Sequence, residues 1–304
     1  MKRDHQIHTS VFACGLILLQ CTLYGLGDPL SKMAYTHVKV YSLLSFRYCL
    51  ALAAMWAIFG KKLIREIRNC RLRYLVIPCS CVAGAHLFSN LALTYTQATS
   101  VGFLRSMSVA ITPVLSFFIE KRRITKKELL ALMVTVVGLY LLCGYGSMTG
   151  FGLGELLALG CAALSAGGVI ALKRSMKWVD PLVMTMFQTA VSAVFSILCA
   201  LVSRQGLRME GAVPSVWLSV LYLAFGCTLG GYMLQNTAVR MISAKTVSLL
   251  MCCCSVMTAL FSYFLLGEKL TSIEMTGALL ILAGVAAETL LSGGHGEDGG
   301  AQRS

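Results

Sequence analysis

The 304-residue chain is 57% hydrophobic and 13% charged, with a mean hydropathy of +0.75; soluble domains carry about 25% charged residues, so a water-soluble enzyme is excluded. Its formal charge of +13 would suit a nucleic-acid binder, but the basic residues fall in short clusters between apolar runs, which is a loop pattern and not a binding stripe. The 13 cysteines, most of them inside apolar runs, show no metal-ligand spacing and read as reduced packing residues.

A membrane-spanning helix needs about 20 mostly apolar residues. Ten segments qualify in order: 10–29, 38–59, 74–95, 99–119, 127–145, 152–172, 181–203, 213–235, 244–265 and 272–291. Lys2 and Arg3 precede the first run as in a signal peptide. The run is long for one, however, and no small-x-small cleavage site follows, so it reads as a retained first helix. Connections are short, which fits a compact bundle. The Gly-rich, polar tail from Ser292 is expected to be disordered.

Charge sets the expected orientation. With the N-terminus in the cytoplasm, 19 basic residues fall inside and five outside (Lys32, Lys39, Arg204, Arg208 and Lys269). The inner set includes Lys61, Lys62, Arg65, Arg68, Arg71 and Arg73, then Lys121, Arg122 and Arg123, then Lys173, Arg174 and Lys177. That imbalance predicts both termini in the cytoplasm, in a bacterial-type inner membrane.

The chain also repeats itself. Residues 90–138 lie without a gap on 236–284, and 11 of 49 positions are identical, among them Asn90/Asn236, Ala98/Ala244, Thr112/Thr258, Glu128/Glu274 and Gly138/Gly284. At an offset of 141, Gly27 matches Gly168, Lys32 matches Lys173 and Phe46 matches Phe187. Five crossings separate equivalent helices, and an odd number reverses direction. The predicted fold is therefore an all-α integral membrane protein of ten transmembrane helices, arranged as two inverted five-helix repeats, 1–148 and 149–291, with a tail at 292–304.

Polar residues inside apolar segments are the site candidates. Arg105 and Arg47 lie within the fourth and second segments, where a central arginine costs about 2.5–3.5 kcal/mol and faces a cavity or a partner. Each either binds a substrate carboxylate or phosphate or serves structure. In the structural case Arg105 snorkels to the outer headgroups and Arg47 pairs with carbonyls or a carboxylate. His86 and Asn90 share one helix face, and Gln235 and Asn236 occupy the matching helix. Asn90 and Asn236, being equivalent, read as interhelical hydrogen-bonding groups. His86, whose counterpart is Tyr232, reads as a specificity residue. Gln20, Tyr24 and Gln188 are weaker candidates. Asp28 and Glu155 read as residues near the outer helix ends and Glu288 as one near an inner end, so no carboxylate is predicted to be central. Gly226, Gly230 and Gly231 form a small-residue face expected to pack within the chain.

The run Asn90-Leu91-Ala92-Leu93, with Ala98, resembles the "N-x-A-L-x-x-x-x-A" turn of the EamA-type branch of the drug/metabolite transporter superfamily. Gln235 to Ala238 with Ser243 and Ala244 gives its second copy. Pro113, Glu120 and Thr125 fit the same pattern, as do Leu266-Gly267-Glu268-Lys269-Leu270-Thr271 ("L-G-E-x-L-T"), Gly138 and Gly284. The departures are Ala259 in place of a second proline, the Cys252-Cys253-Cys254 run, and Tyr24-Gly25 in place of a "W-G" start. The resemblance covers residues 10–291. It implies that the third, fourth, eighth and ninth helices line a cavity.

The expected function is a secondary transporter moving a small polar metabolite by alternating access. The cationic cavity favours an amino acid or a related zwitterion or anion, and the expected direction is efflux. Rivals are a multidrug exporter of the same fold, a channel, and an intramembrane enzyme or scaffold. No Walker A motif, catalytic set or metal cluster is found, so the chain is read as a non-enzyme without cofactors. The expected partners are a small-molecule substrate and the lipid bilayer, without nucleic acid, for a monomer or weak homodimer.

Overall fold

The computed structural model describes residues 2–68, 71–96, 98–120, 126–141, 152–203, 207–209, 211, 213–267 and 271–292. Among these residues there is no strand; the chain is a bundle of helices. They are α1 (Lys2–Tyr35), α2 (Val40–Arg68), α3 (Arg73–Tyr95), α4 (Ala98–Ser106), α5 (Ser108–Glu120), α6 (Lys126–Leu139), α7 (Leu153–Ser175), α8 (Pro181–Val202), α9 (Pro214–Tyr222), a π-helical segment (Leu223–Gly231), α10 (Tyr232–Met241), α11 (Ala244–Leu250), α12 (Cys253–Leu266) and α13 (Ser272–Ser292). Lys121, Arg122, Arg123, Arg204, the Glu268-Lys269-Leu270 turn and the tail beyond Ser292 lie outside the described residues.

Helix boundaries follow local chemistry. Asp180 caps α8 by accepting from Leu182 N at 2.9 Å, with Pro181 at the first helical position. Ser243 caps α11, and Gly267, at φ 67°, ends α12 in the left-handed conformation. Among the described residues, eight helical stretches are long and apolar enough to cross a membrane, including α4 with α5, α9 through α10, and α11 with α12, each counted as one rod. The described apolar part of α13, Ser272–Ala287, is shorter, and α6 runs for 14 residues.

Four expected segments change shape. α1 is 34 residues long and continues through Pro29 to Tyr35, so Asp28 sits inside the helix and not near its end. The fourth segment bends at Met107 and the ninth at Met251 and Cys252, where N–H groups bond three residues back instead of four (Met107 to Leu104, Cys252 to Leu249, Cys254 to Met251). The eighth carries the π segment and runs to Met241.

Neighbouring helices come in matched pairs. α3 packs along α7, and α10 along α1; α1 packs on α12, and α4 and α5 on α7; α3 packs on α8, and the π segment on α2. The α2–α8 and α6–α13 contacts complete the bundle. Two glycines permit the closest approaches. A Cβ on Gly25 would overlap Met257 of α12, and one on Gly138 would lie 2.8 Å from Gly277 O of α13. Large apolar side chains such as Phe118, Val202 and Phe264 face outward, as a lipid-facing surface requires.

Candidate substrate cavity

The bent rods α4–α5 and α11–α12 cross at their bends. There the Ser106 and Ser255 hydroxyls are 2.6 Å apart, Ser255 donates to Gly102 O at 3.1 Å, and Thr112 meets Ser248 at 2.9 Å. All five residues are backbone or short polar groups, so the rods approach closely and satisfy each other's polar atoms away from water. Beside this crossing lies a cavity of about 70 Å³. Its wall includes Tyr24 from α1, His86 and Ser89 from α3, Arg105 and Ser106 from α4, Cys161 and Ser165 from α7, Gln235 from α10, and Met251 and Cys254 from the ninth segment.

Arg105 neither snorkels to the headgroups nor stands free. Its two terminal nitrogens grip Asp28 at 2.7 and 3.3 Å, and one also approaches Cys254 Sγ at 3.4 Å. Thr258 of α12 donates to the same Asp28 at 3.2 Å. Asp28, expected near a helix end, is thus the partner of the fourth segment's arginine. Both side chains are about one-fifth exposed (20% and 17%). Intramembrane charges pair, a rule that, with α1 drawn to its full length, would have found Asp28.

His86 sits between two aromatic rings, with Tyr24 edge-on at 5.9 Å and Tyr232 tilted at 5.4 Å. Gln235 lines the cavity and accepts from Gln20 at 3.2 Å. The cavity therefore gathers Arg105, His86, Tyr24 and Gln235, but not Arg47, Asn90, Asn236, Gln188 or Gln20. Asn90 bonds to Tyr35 Oη and to His86 O. Asn236 donates to Gln188 at 2.8 Å and to Thr185 at 2.9 Å, which ties α10 to α8. The Tyr35, Gln188 and Thr185 bonds run between helices, and the His86 O bond lies within α3. Arg47 is buried on α2, where its Nε donates to Thr228 of the π segment at 2.7 Å. Glu155 stays at a helix end, bonded to Gly152 N and to Thr96. Among the described residues no group of His, Cys, Asp and Glu could hold a metal.

Spanning helices wrapped around a polar, arginine-bearing cavity define a multi-pass membrane protein of transporter type. The family model of EamA-like transporters matches the chain twice, over residues 11–144 and 152–288, and the chain belongs to that family. It is 27% identical to an uncharacterized transporter of Archaeoglobus fulgidus, over 67% of this chain and 65% of that protein, so that match spans just under two thirds of the relative. It is 24% identical to the uncharacterized transporter YyaM of Bacillus subtilis, over 89% of this chain and 91% of that one. It is also 27% identical to a protein of Salmonella typhimurium named "Probable amino-acid metabolite efflux pump", over 89% and 92%. A solved crystal structure shares the fold, with a TM-score of 0.74 at 19% identity, covering 94% of this chain and 97% of that one.

Proposed function

We propose that the protein is a secondary transporter that exports a small polar metabolite, an amino acid or a related zwitterion or anion, by alternating access. Its units are two inverted five-helix repeats, 1–148 and 149–291, with both termini in the cytoplasm. The observation that carries this reading is the position of the cavity. It lies where two bent rods cross, and the bends fall within about a residue of equivalent positions in the two halves of the sequence repeat. Discontinuous helices meeting at a central site are the usual construction of secondary transporters. The matched helix pairs support the division. Exchanging α1 with α7, α2 with α8, and α3 with the 214–241 rod turns the α3–α7 packing into α10 on α1, α1–α12 into α7 on α5, and α3–α8 into the π segment on α2. The double match of the family model falls on the same two halves.

The polar ties around the cavity cross between halves: Asp28 to Thr258, Arg105 to Cys254, and Ser106 to Ser255. Each breaks when one half rocks against the other, and each is individually weak enough to break. Asp28 lies seven residues from the end of α1, and Arg105 seven from the start of α4, so this tie sits about 10 Å below the helix ends on one side. In the proposed orientation that side is the outer one. The name borne by the Salmonella relative agrees with an amino-acid or related substrate. With no nucleotide-hydrolysing motif in the sequence, the free energy comes from solute or ion gradients.

The test is counterflow of a tritiated L-amino-acid mixture in proteoliposomes containing the purified chain, with thiol labelling of Cys254 from each side. Labelling that shifts between sides on adding substrate is expected. Counterflow with accessibility fixed from both sides would mean a channel and would overturn the reading.

A further inference from the structure

Behind the cavity wall lies a second group of buried polar atoms. Arg47 is 4% exposed, and its guanidinium carbon stands 5.3 Å from the centre of the Tyr48 ring. Among the described residues no carboxylate pairs with it, and its only hydrogen bond runs from Nε to Thr228. The hydroxyls of Tyr24, Tyr48 and Tyr232 and the side-chain oxygen of Gln20 are buried without a hydrogen-bond partner, and all four side chains are more than nine-tenths covered. Tyr232 follows Thr228 by four residues, about one turn further along the same rod.

The two arginines differ. Asp28 occupies both terminal nitrogens of Arg105. Arg47 keeps its terminal fork, the part of a guanidinium that matches a carboxylate in bidentate fashion. A buried cation without an acid marks a place where an anion is supplied from elsewhere. The sequence puts Gln188 at the repeat position equivalent to Arg47, so only one half carries this charge. Thr228, which orients Arg47, comes from the π segment, an irregularity that concentrates at functional sites. The Tyr24 and His86 rings, both part of the cavity wall, stand between the cavity and Tyr232.

We propose that this polar cluster is the carboxylate subsite of the transport path. The substrate carboxylate docks on the terminal fork of Arg47 and accepts hydrogen bonds from Tyr48 and Tyr232. Rotation of the Tyr24 and His86 rings opens the cluster to the cavity, and Arg105 stays with Asp28 as a tie between helices. This rests on the transport reading given above and makes Arg47, not Arg105, the residue that recognises the substrate's acid group.

The experiment uses the reconstituted full chain and counterflow of the tritiated L-amino-acid mixture. Individual L-amino acids compete, as do the amines left when their carboxyl groups are removed. Wild type is compared with Arg47→Gln, Arg47→Lys and the pair Tyr48→Phe/Tyr232→Phe, each checked for folding by its melting temperature. In wild type the best amino acid is expected to compete at least ten-fold better than its amine. Arg47→Gln erases that difference through the apparent affinity, Arg47→Lys keeps part of it, and the double phenylalanine variant reduces it several-fold. The proposal is overturned if wild type takes the amines equally well, or if folded variants discriminate like wild type. It is also overturned if chloride raises the melting temperature through Arg47 and formate does not, which would mark an inorganic-anion site. If Arg47→Gln does not fold, the phenylalanine pair decides. Absence of any wild-type counterflow removes the transport reading itself, and this proposal with it.

Discussion

At the level of single residues, the sequence pointed to Arg105 and missed its partner Asp28. Arg105 was legible because an arginine inside an apolar run is costly. Asp28 was not, because the first helix was drawn to end at residue 29, and it continues to Tyr35. Removing one member of a mostly buried ion pair strands the other, at about 3 kcal/mol. Asp28→Asn and Arg105→Gln are each expected to lower stability by roughly that amount, and the double neutral variant by clearly less than their sum. A double-mutant cycle on detergent-solubilised protein measures the coupling, and additive losses would refute it. Asn236 makes two side-chain bonds to α8. Interhelical bonds in membranes average about 0.6 kcal/mol each, so Asn236→Ala is expected to cost about 1 kcal/mol in the same unfolding assay. A loss above about 3 kcal/mol would mean a larger role than a tie.

Among the helices, apolar length was enough to find each one, but not its irregularities. Nothing at Met107 or Met251 breaks a helix by propensity; neither is glycine or proline. The bends arise where two rods cross closely and exchange hydroxyl contacts, Ser106 with Ser255, Thr112 with Ser248, and Ser255 to Gly102 O, which is a tertiary cause. Pro29 and Pro113 both lie inside helices, because surrounding helices can satisfy the freed carbonyls in a membrane. The Gly25 contact makes a sharp prediction for the α1–α12 packing. Gly25→Ala places a methyl group on the backbone of Met257, and overpacking of this kind costs about 1–3 kcal/mol. A lowered melting temperature with reduced counterflow is expected, whereas an unchanged melting temperature would show that α12 has room to shift.

For the whole molecule, the two proposed halves exchange their contacts under the repeat, yet the polar residues at the cavity do not repeat. His86 faces its counterpart Tyr232, and Arg105 and its counterpart Met251 both line the same wall. A shared scaffold with unshared cavity groups allows two similar conformations to present one asymmetric site. Substrate is therefore expected to change the labelling rate of Cys254, which lines the cavity, by several-fold. It should leave the exposed Cys49 on α2 unchanged. Equal changes at both thiols, read by mass spectrometry, would argue for general loosening instead of alternating access.

Composition and hydropathy alone determined a multi-pass helical membrane protein, because every spanning backbone must bond within itself and helix length follows bilayer thickness. The internal repeat and the turn motifs also brought out the family from sequence alone, since both are read along the chain. What only the tertiary structure decided was which polar residues meet. Arg105 finds Asp28 across 77 positions, and Arg47 finds Thr228 across 181. A hydropathy pattern records which residues avoid lipid. It carries no information about the rotation of one helix against another, and that rotation is what pairs one arginine with an acid and the other with a threonine.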